Sequence, residues 1–208
     1  MVIDAMKARA TQRQATRRQG RPPATDHDAV ERAAFELFAE RGFDATTIDD
    51  IAAAAGIGRR TLFRYYPSKN DIPWGQFDAS LVQLRAHLQA MPHDIPVYSA
   101  VHQAVLAFNR FDPSAIPQHR QRMRLLLTTP ALQAHSVHRY AQWRSTIAAY
   151  VASRCDLAET DLLPVAIGQV TLAISLSAYE QWLEAEDQPL EQLLNEALTA
   201  VVGYFSGG

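Results

Sequence analysis

Between Thr46 and Lys69 the chain reads TTIDDIAAAAGIGRRTLFRYYPSK, and no other stretch so narrows what the molecule is able to be. Ile48, Ile51 and Ala52 recur at helical spacing and predict a short helix over about Thr47–Ala54. Gly56, within Ala55-Gly56-Ile57, stands where a left-handed residue would end that helix. A second helix follows over about Gly58–Tyr66 and carries Arg59, Arg60, Thr61, Arg64, Tyr65 and Tyr66. Pro67 stops it, because proline restricts the residue before it and cannot continue the hydrogen-bond ladder. Two short helices on a glycine turn, the second presenting arginine, threonine and tyrosine, fit a DNA major groove.

The charge distribution agrees. Residues 1–75 hold twelve Lys/Arg against ten Asp/Glu, whereas residues 76–208 hold eight against twelve. The first 23 residues alone carry six basic side chains against Asp4. A basic arm beside such a reader, followed by an acidic remainder, predicts a polyanion that touches one end only. The arm has almost nothing apolar to bury, so a solvated tail is the alternative for it. Gly20-Arg21-Pro22, with Arg18, is the part suited to a minor groove.

With 208 residues, 48% of them apolar, the chain is long enough for a sizeable core. Its single cysteine, Cys155, excludes an internal disulfide or cysteine-rich zinc site and is expected to be a partly buried small hydrophobe. The N-terminus lacks the apolar region of a secretory signal, which predicts a cytoplasmic protein. The longest uncharged run, Leu162 to Tyr179, contains Pro164, Gln169, Thr171, Ser175 and Ser177 and reads as a buried helix, with no membrane span.

Helical periodicity runs through the whole chain and no strand is expected. Thr25-Asp26-His27-Asp28 predicts an N-cap for a first helix to about Arg41, with Val30, Ala33, Ala34, Leu37 and Phe38 as its apolar stripe. A fourth helix is expected from about Ser68 to Met91, interrupted awkwardly by Pro73-Trp74-Gly75. Further helices are expected over about 96–111, 117–128, 130–154, 161–186 and 189–205, with prolines at several boundaries. The fold class is therefore all-α: a flexible basic arm (1–24), a three-helix DNA-binding head (25–69) and a body of about six helices (70–208). The last two helices carry more apolar residues than one face needs. An intrachain core accounts for some of them; a homodimer interface built as a four-helix bundle accounts for the excess. Leu172, Leu176, Tyr179, Leu194, Leu198, Val201 and Phe205 are the residues expected there.

Residues Thr47, Ile51, Ala52, Ala55, Gly56, Ile57, Thr61, Leu62, Phe63, Tyr65, Pro67, Ser68 and Lys69, with Ala34, Leu37, Phe38, Gly42 and Phe43 upstream, resemble the DNA-binding head of TetR-family transcriptional regulators. More narrowly, Arg59-Arg60 and Ile72-Pro73-Trp74-Gly75 resemble the subgroup encoded with mycofactocin biosynthesis. The resemblance implies a homodimeric repressor of a double-stranded DNA operator, released by a small molecule bound in the body, and some such regulators sense acyl-CoA thioesters. An activator of the same build, or a ligand-independent architectural DNA-binding protein, is the alternative.

In such a head Thr47 caps the second helix and its amide and hydroxyl would face a phosphate. Arg59, Arg60 and Arg64 would meet base edges or phosphates, and Arg60 departs from the small residue common in the family. Thr61 and Tyr65 match phosphate and base-methyl contacts. Phe63 replaces the usual tyrosine and is left with packing or a thymine methyl. Lys69, a cation opening a helix against its dipole, would be explained by a phosphate. In the body, Phe108, Met123, Leu127, Tyr140, Trp143 and Thr171 are candidates for a ligand pocket, although aromatic stripes usually form core. Arg120, Arg122 and Arg124 beside His119 form a basic cluster: either a solvated face or a dock for a phosphorylated ligand such as coenzyme A. Pro73-Trp74-Gly75 is expected to be a hinge between head and body. Catalysis is not expected: there is no nucleophile elbow, P-loop or dinucleotide fingerprint, and His135 and His138 lack a metal-ligand context. No cofactor is expected.

Overall fold

Every periodic segment becomes a helix. The computed structural model describes residues 23–75, 77–185 and 187–205, and these form nine α-helices and two 3₁₀ turns with no strand among them. Helices α1 (Pro23–Arg41), α2 (Ile48–Ala54) and α3 (Arg59–Tyr65) make the head. A 3₁₀ turn (Lys69–Trp74) leads into α4 (Phe77–Gln89), α5 (Val97–Phe108), a second 3₁₀ turn (Pro113–Ala115), α6 (Ile116–Thr128), α7 (Pro130–Cys155), α8 (Leu162–Glu184) and α9 (Leu190–Phe205). Arg18 and Arg21 lie outside the described residues.

The head closes over a small core. Val30, Ala34, Leu37 and Phe38 of α1 meet Ile51 and Ala52 of α2 and Leu62 of α3, all buried. Fully burying each larger side chain contributes roughly 1.5–3 kcal/mol. The turn between α2 and α3 is fixed by its backbone. Gly56 N–H donates to the Ala53 carbonyl and Ile57 N–H to the Ala52 carbonyl, with Gly56 at φ +68°. That is a Schellman closure, and its left-handed residue strongly favours glycine.

In the body α8 packs against both α7 and α9, and α4 lies between α5 and α7. By length and composition alone α8 could cross a membrane. Its Leu172, Tyr179 and Trp182 are buried instead among the other helices. The head is not detached: α1 touches α6, the first 3₁₀ turn touches α1, α6 and α7, and one continuous apolar cluster runs through both.

Four expectations are corrected. Helix α1 begins at Pro23, two residues early, because proline's preset φ suits a first helical turn. The fourth helix does not start at Ser68: Pro73 cannot extend an α-helix and Gly75 takes φ +40°, so a 3₁₀ turn precedes α4. Cys155 is exposed at the end of α7. The residues assigned to a dimer interface mostly face inward: Leu172, Tyr179, Leu194 and Leu198 are buried within the chain, and Leu176 packs on the same core. Val201 is half-buried, and the Phe205 side chain lies outside the described residues. The outer faces carry Leu162, Val165 and Val170 of α8 and Val202 of α9, all exposed.

Replacing Gly56 with alanine should cost about 1–2 kcal/mol through its left-handed backbone, a fall of roughly 2–8 °C in Tm for a chain of this size. Thermal unfolding followed by circular dichroism checks it; an unchanged midpoint would mean that the turn relaxes without strain.

Candidate functional site

Helix α3 presents its polar residues on one side because Leu62 and Tyr66 anchor the other. Arg59, Arg60, Phe63 and Arg64 are exposed, while Thr61 and Tyr65 are half-buried at its edge. Arg59 is paired with Asp49 of α2 at 3.1 Å, both well exposed, a contact worth little in water. Arg64 donates to the Tyr65 hydroxyl at 3.1 Å. The Arg60 side chain has no hydrogen bond or ion pair among the described residues. The exposed arginines and the Phe63 ring, with Arg59 lying over it at 5.4 Å, make one continuous cationic and aromatic face.

Two neighbours expected to meet phosphate have other partners. Thr47 does cap α2, but its amide and hydroxyl both donate to Asp50 Oδ2, at 3.0 and 2.6 Å, while the Asp50 amide donates back to its oxygen. The hydroxyl bond, then the amide, lowers the Asp50 pKa. Lys69 spends its ammonium on the carbonyls of Phe43 (2.7 Å) and Thr46 (2.8 Å), with that of Asp44 at 3.4 Å, and lies over the Phe43 ring. It staples the loop between α1 and α2, which removes the reason for giving it a phosphate. Burial lowers its pKa.

The body holds a partly open cavity of about 140 Å³, walled by the first 3₁₀ turn and helices α4 to α8. Phe108, Met123, Tyr140 and Trp143 line it as expected. So do Leu172, Leu176 and Tyr179, which were assigned to a dimer interface. Leu127 and Thr171 do not. Arg120 and Arg124 do not either: they cap the C-terminus of α8. Arg120 donates to the Trp182 carbonyl at 2.6 Å and the Ala185 carbonyl at 3.2 Å, and Arg124 to the Leu183 carbonyl at 3.4 Å. Cations at a helix C-terminus also suit its dipole.

Several polar residues line this cavity. His119 Nε2 lies 2.9 Å from the Tyr179 hydroxyl, which donates to Asn109 Oδ1 at 2.6 Å, and the Phe111 ring stacks on the imidazole at 3.8 Å. Burial first, and the Arg122 charge second, hold the His119 pKa down at about 3. Burial likewise raises Tyr179. Trp74 Nε1, His119 Nδ1, Arg122 Nε and the Tyr140 hydroxyl, all on residues of the cavity wall, are buried without a hydrogen bond.

Arg122 also leaves the cavity. Its Nη2 donates to Glu31 Oε2 at 2.5 Å, and Glu31 Oε1 accepts from the Tyr66 hydroxyl at 3.0 Å, at the end of α3. Burial and the Glu31 charge raise Tyr66, keeping its proton in place. One carboxylate thus joins the cavity wall, α1 and the base of α3. The sequence signal was available: Glu31 shares a face with Phe35 and Phe38, and a charge within an apolar stripe asks for a partner. Trp74, Asn109 and Phe111 were not singled out for the cavity, and His119 only as a neighbour of the arginine cluster. His135, weighed as a metal ligand, instead bonds Asp71 at 3.0 Å, and no group of three metal-ligating side chains occurs among the described residues.

Residues 32–72 match the family model described as bacterial regulatory proteins, tetR family, and residues 95–206 match that described as the MftR C-terminal domain. The MftR protein of Mycobacterium tuberculosis, named as a mycofactocin biosynthesis transcriptional regulator, is 47% identical over 184 residues, 88% of this chain and 93% of its own length. Among solved structures, the fatty acid degradation regulator FadR of Bacillus halodurans superposes with a TM-score of 0.63 at 15% identity, covering 85% of this chain and 98% of that one. Thermus thermophilus FadR, in complex with lauroyl-CoA, does so at 0.55 with 21% identity, covering 85% and 93%.

Because the unfolded chain's histidine takes up a proton near pH 6.5 and buried His119 does not until about 3, stability should fall as the pH drops through that window. Between pH 7 and 5 the loss is about 2 kcal/mol. Urea unfolding of the wild type and His119→Phe at both pH values checks it: the variant should lose that much less than the wild type. Equal losses would show that His119 titrates normally in the fold.

Proposed function

Since the chain belongs to the TetR family of transcriptional regulators, which are not enzymes, we propose that it is a homodimeric repressor whose operator affinity falls when a small apolar molecule fills the body cavity. The observation that carries the DNA half is the single exposed face of Arg59, Arg60, Phe63 and Arg64 on α3. Set into a major groove, that face offers arginines to guanine edges, and Thr61 and Tyr65 stand at its margin toward the backbone. Two copies joined through the outer faces of α8 and α9 would present two such helices about one helical turn apart. The exposed Val165, Val170 and Val202 support that pairing.

The ligand half rests on the cavity and its junction with the head. Anything that displaces the Arg122 guanidinium disturbs Glu31 and, through it, Tyr66 at the foot of α3. Gly75 adds to the coupling, because a side chain there would meet the Glu31 carboxylate at 2.4 Å. Trp74, packed at 4.9 Å on Phe77 and 5.7 Å on Tyr140, is the hinge element on the cavity side. The apolar wall, and the fold shared with the lauroyl-CoA complex, support a ligand with an apolar body. The arginines first assigned to the phosphates of coenzyme A, Arg120 and Arg124, are occupied on α8, so the expected acyl-CoA is left without an anchor for them and is not the ligand proposed. Such a protein works in the cytoplasm, beside its DNA.

The test is selection of binding sites from a random DNA pool with purified protein, then titration of the selected duplex. One enriched, two-fold-symmetric sequence is expected, and enrichment of none would discard the regulator reading. Arg60→Ala should weaken the selected site by about 1–3 kcal/mol and relax one position of it. Equal loss on random DNA would move Arg60 to the phosphate backbone. Sedimentation should turn the dimer into a monomer when Val170 and Val202 are both changed to lysine, with Tm nearly kept. A dimer that persists would place the interface elsewhere.

A further inference from the structure

The hydrogen-bond directions inside the cavity specify what a ligand must offer, given the ligand-responsive reading above. Asn109 Nδ2 donates to the Val105 carbonyl at 2.8 Å, so its Oδ1 is the atom that faces Tyr179. The Tyr179 hydroxyl gives its proton to that oxygen at 2.6 Å. Its own oxygen, 2.9 Å from His119 Nε2, is therefore left to accept. Neutral His119 then carries its proton on Nε2, and Nδ1 becomes a bare acceptor, buried and unpaired. One turn along the same face of α6, Arg122 Nε–H is an unpaired donor, and Trp74 Nε1–H on the 3₁₀ turn is another. A ligand head that comes to lie against these atoms must make the bonds they lack or lose affinity.

We propose that the cavity selects a neutral apolar molecule ending in a hydroxyl, an alcohol or phenol, which donates to His119 Nδ1 and accepts from Arg122 Nε or Trp74 Nε1. A hydroxyl is the smallest group that does both. A carboxylate or thioester carbonyl accepts only; it would leave Nδ1 unpaired and set oxygen lone pairs against it. An ammonium would face the Arg122 guanidinium. A hydrocarbon leaves all three atoms unserved. The volume, about 140 Å³, is close to the roughly 150 Å³ that accepts benzene in other proteins, so one ring with one hydroxyl matches it in size.

Calorimetric titration of the full chain with phenol, anisole and toluene tests this. These are similar in size and offer, respectively, a donor with an acceptor, an acceptor alone, and neither. Phenol should bind at least about tenfold tighter than the other two, the size expected for one unmade buried hydrogen bond. His119→Phe should erase the gap. Tyr179→Phe should also narrow it, by freeing the imidazole to move its proton to Nδ1 and accept anisole; a merely structural role for Tyr179 would weaken all three probes alike. Affinities within a factor of about two in the wild type, or no detectable binding of any probe, would overturn the proposal. Anisole binding tightest would overturn it too and assign the cavity to acceptor-only heads such as thioesters. Loss of site selection from the random DNA pool, with the phenol preference intact, would sink the regulator reading alone.

Discussion

A buried carboxylate must be answered, and in this molecule Glu31 is answered from both directions. It lies on the inner face of α1, 8% exposed, with Tyr66 donating from the end of α3 and Arg122 from the wall of the cavity. Removing either donor leaves charge in a medium that solvates it poorly, and losing one partner of a buried pair typically costs about 3–5 kcal/mol. The approach of α1 to α6, the seat of Tyr66 and the shape of the 3₁₀ turn around Gly75 all follow from satisfying this one group.

The head was legible because its physics is local. Gly56 closes α2 by backbone geometry alone, Thr47 caps it from three residues away, and Leu62 and Tyr66 fall on the inner side of α3 by periodicity. The body was legible in helix number, and less so in which surface meets which. A 3.6-residue period says that a face is covered without saying what covers it. Leu172, Tyr179, Leu194 and Leu198 were correctly seen as covered residues, yet their covering is the chain's own core.

Charge was harder still. Arg120, Arg122 and Arg124 look alike in sequence; in the fold, two hold the end of α8 and one holds Glu31, 91 residues away. Lys69 resembles a phosphate ligand until the carbonyls of Phe43 and Thr46 are seen to fill its donors. Four residues of the cavity wall were foreseen, Phe108, Met123, Tyr140 and Trp143, because large aromatic and flexible side chains gather wherever a bundle is imperfectly filled. The ordered run from Asn109 through Tyr179 to His119 was not foreseeable. It joins three helices, and its direction depends on an amide orientation set by a carbonyl on α5.

Helix α6 is bolted at both sides. Arg120 and Arg124 grip the closing carbonyls of α8, while Arg122 and Gln121, the latter donating to the Phe35 carbonyl at 2.8 Å, grip α1. Such a helix works as a connecting rod, because it cannot slide against one neighbour without dragging the other. The pose of α1, and of the reading helix resting on it, is thereby indexed to α8. In a molecule paired through α8, the gap between two reading helices would be set less by the loops between domains than by the length and tilt of this one strut.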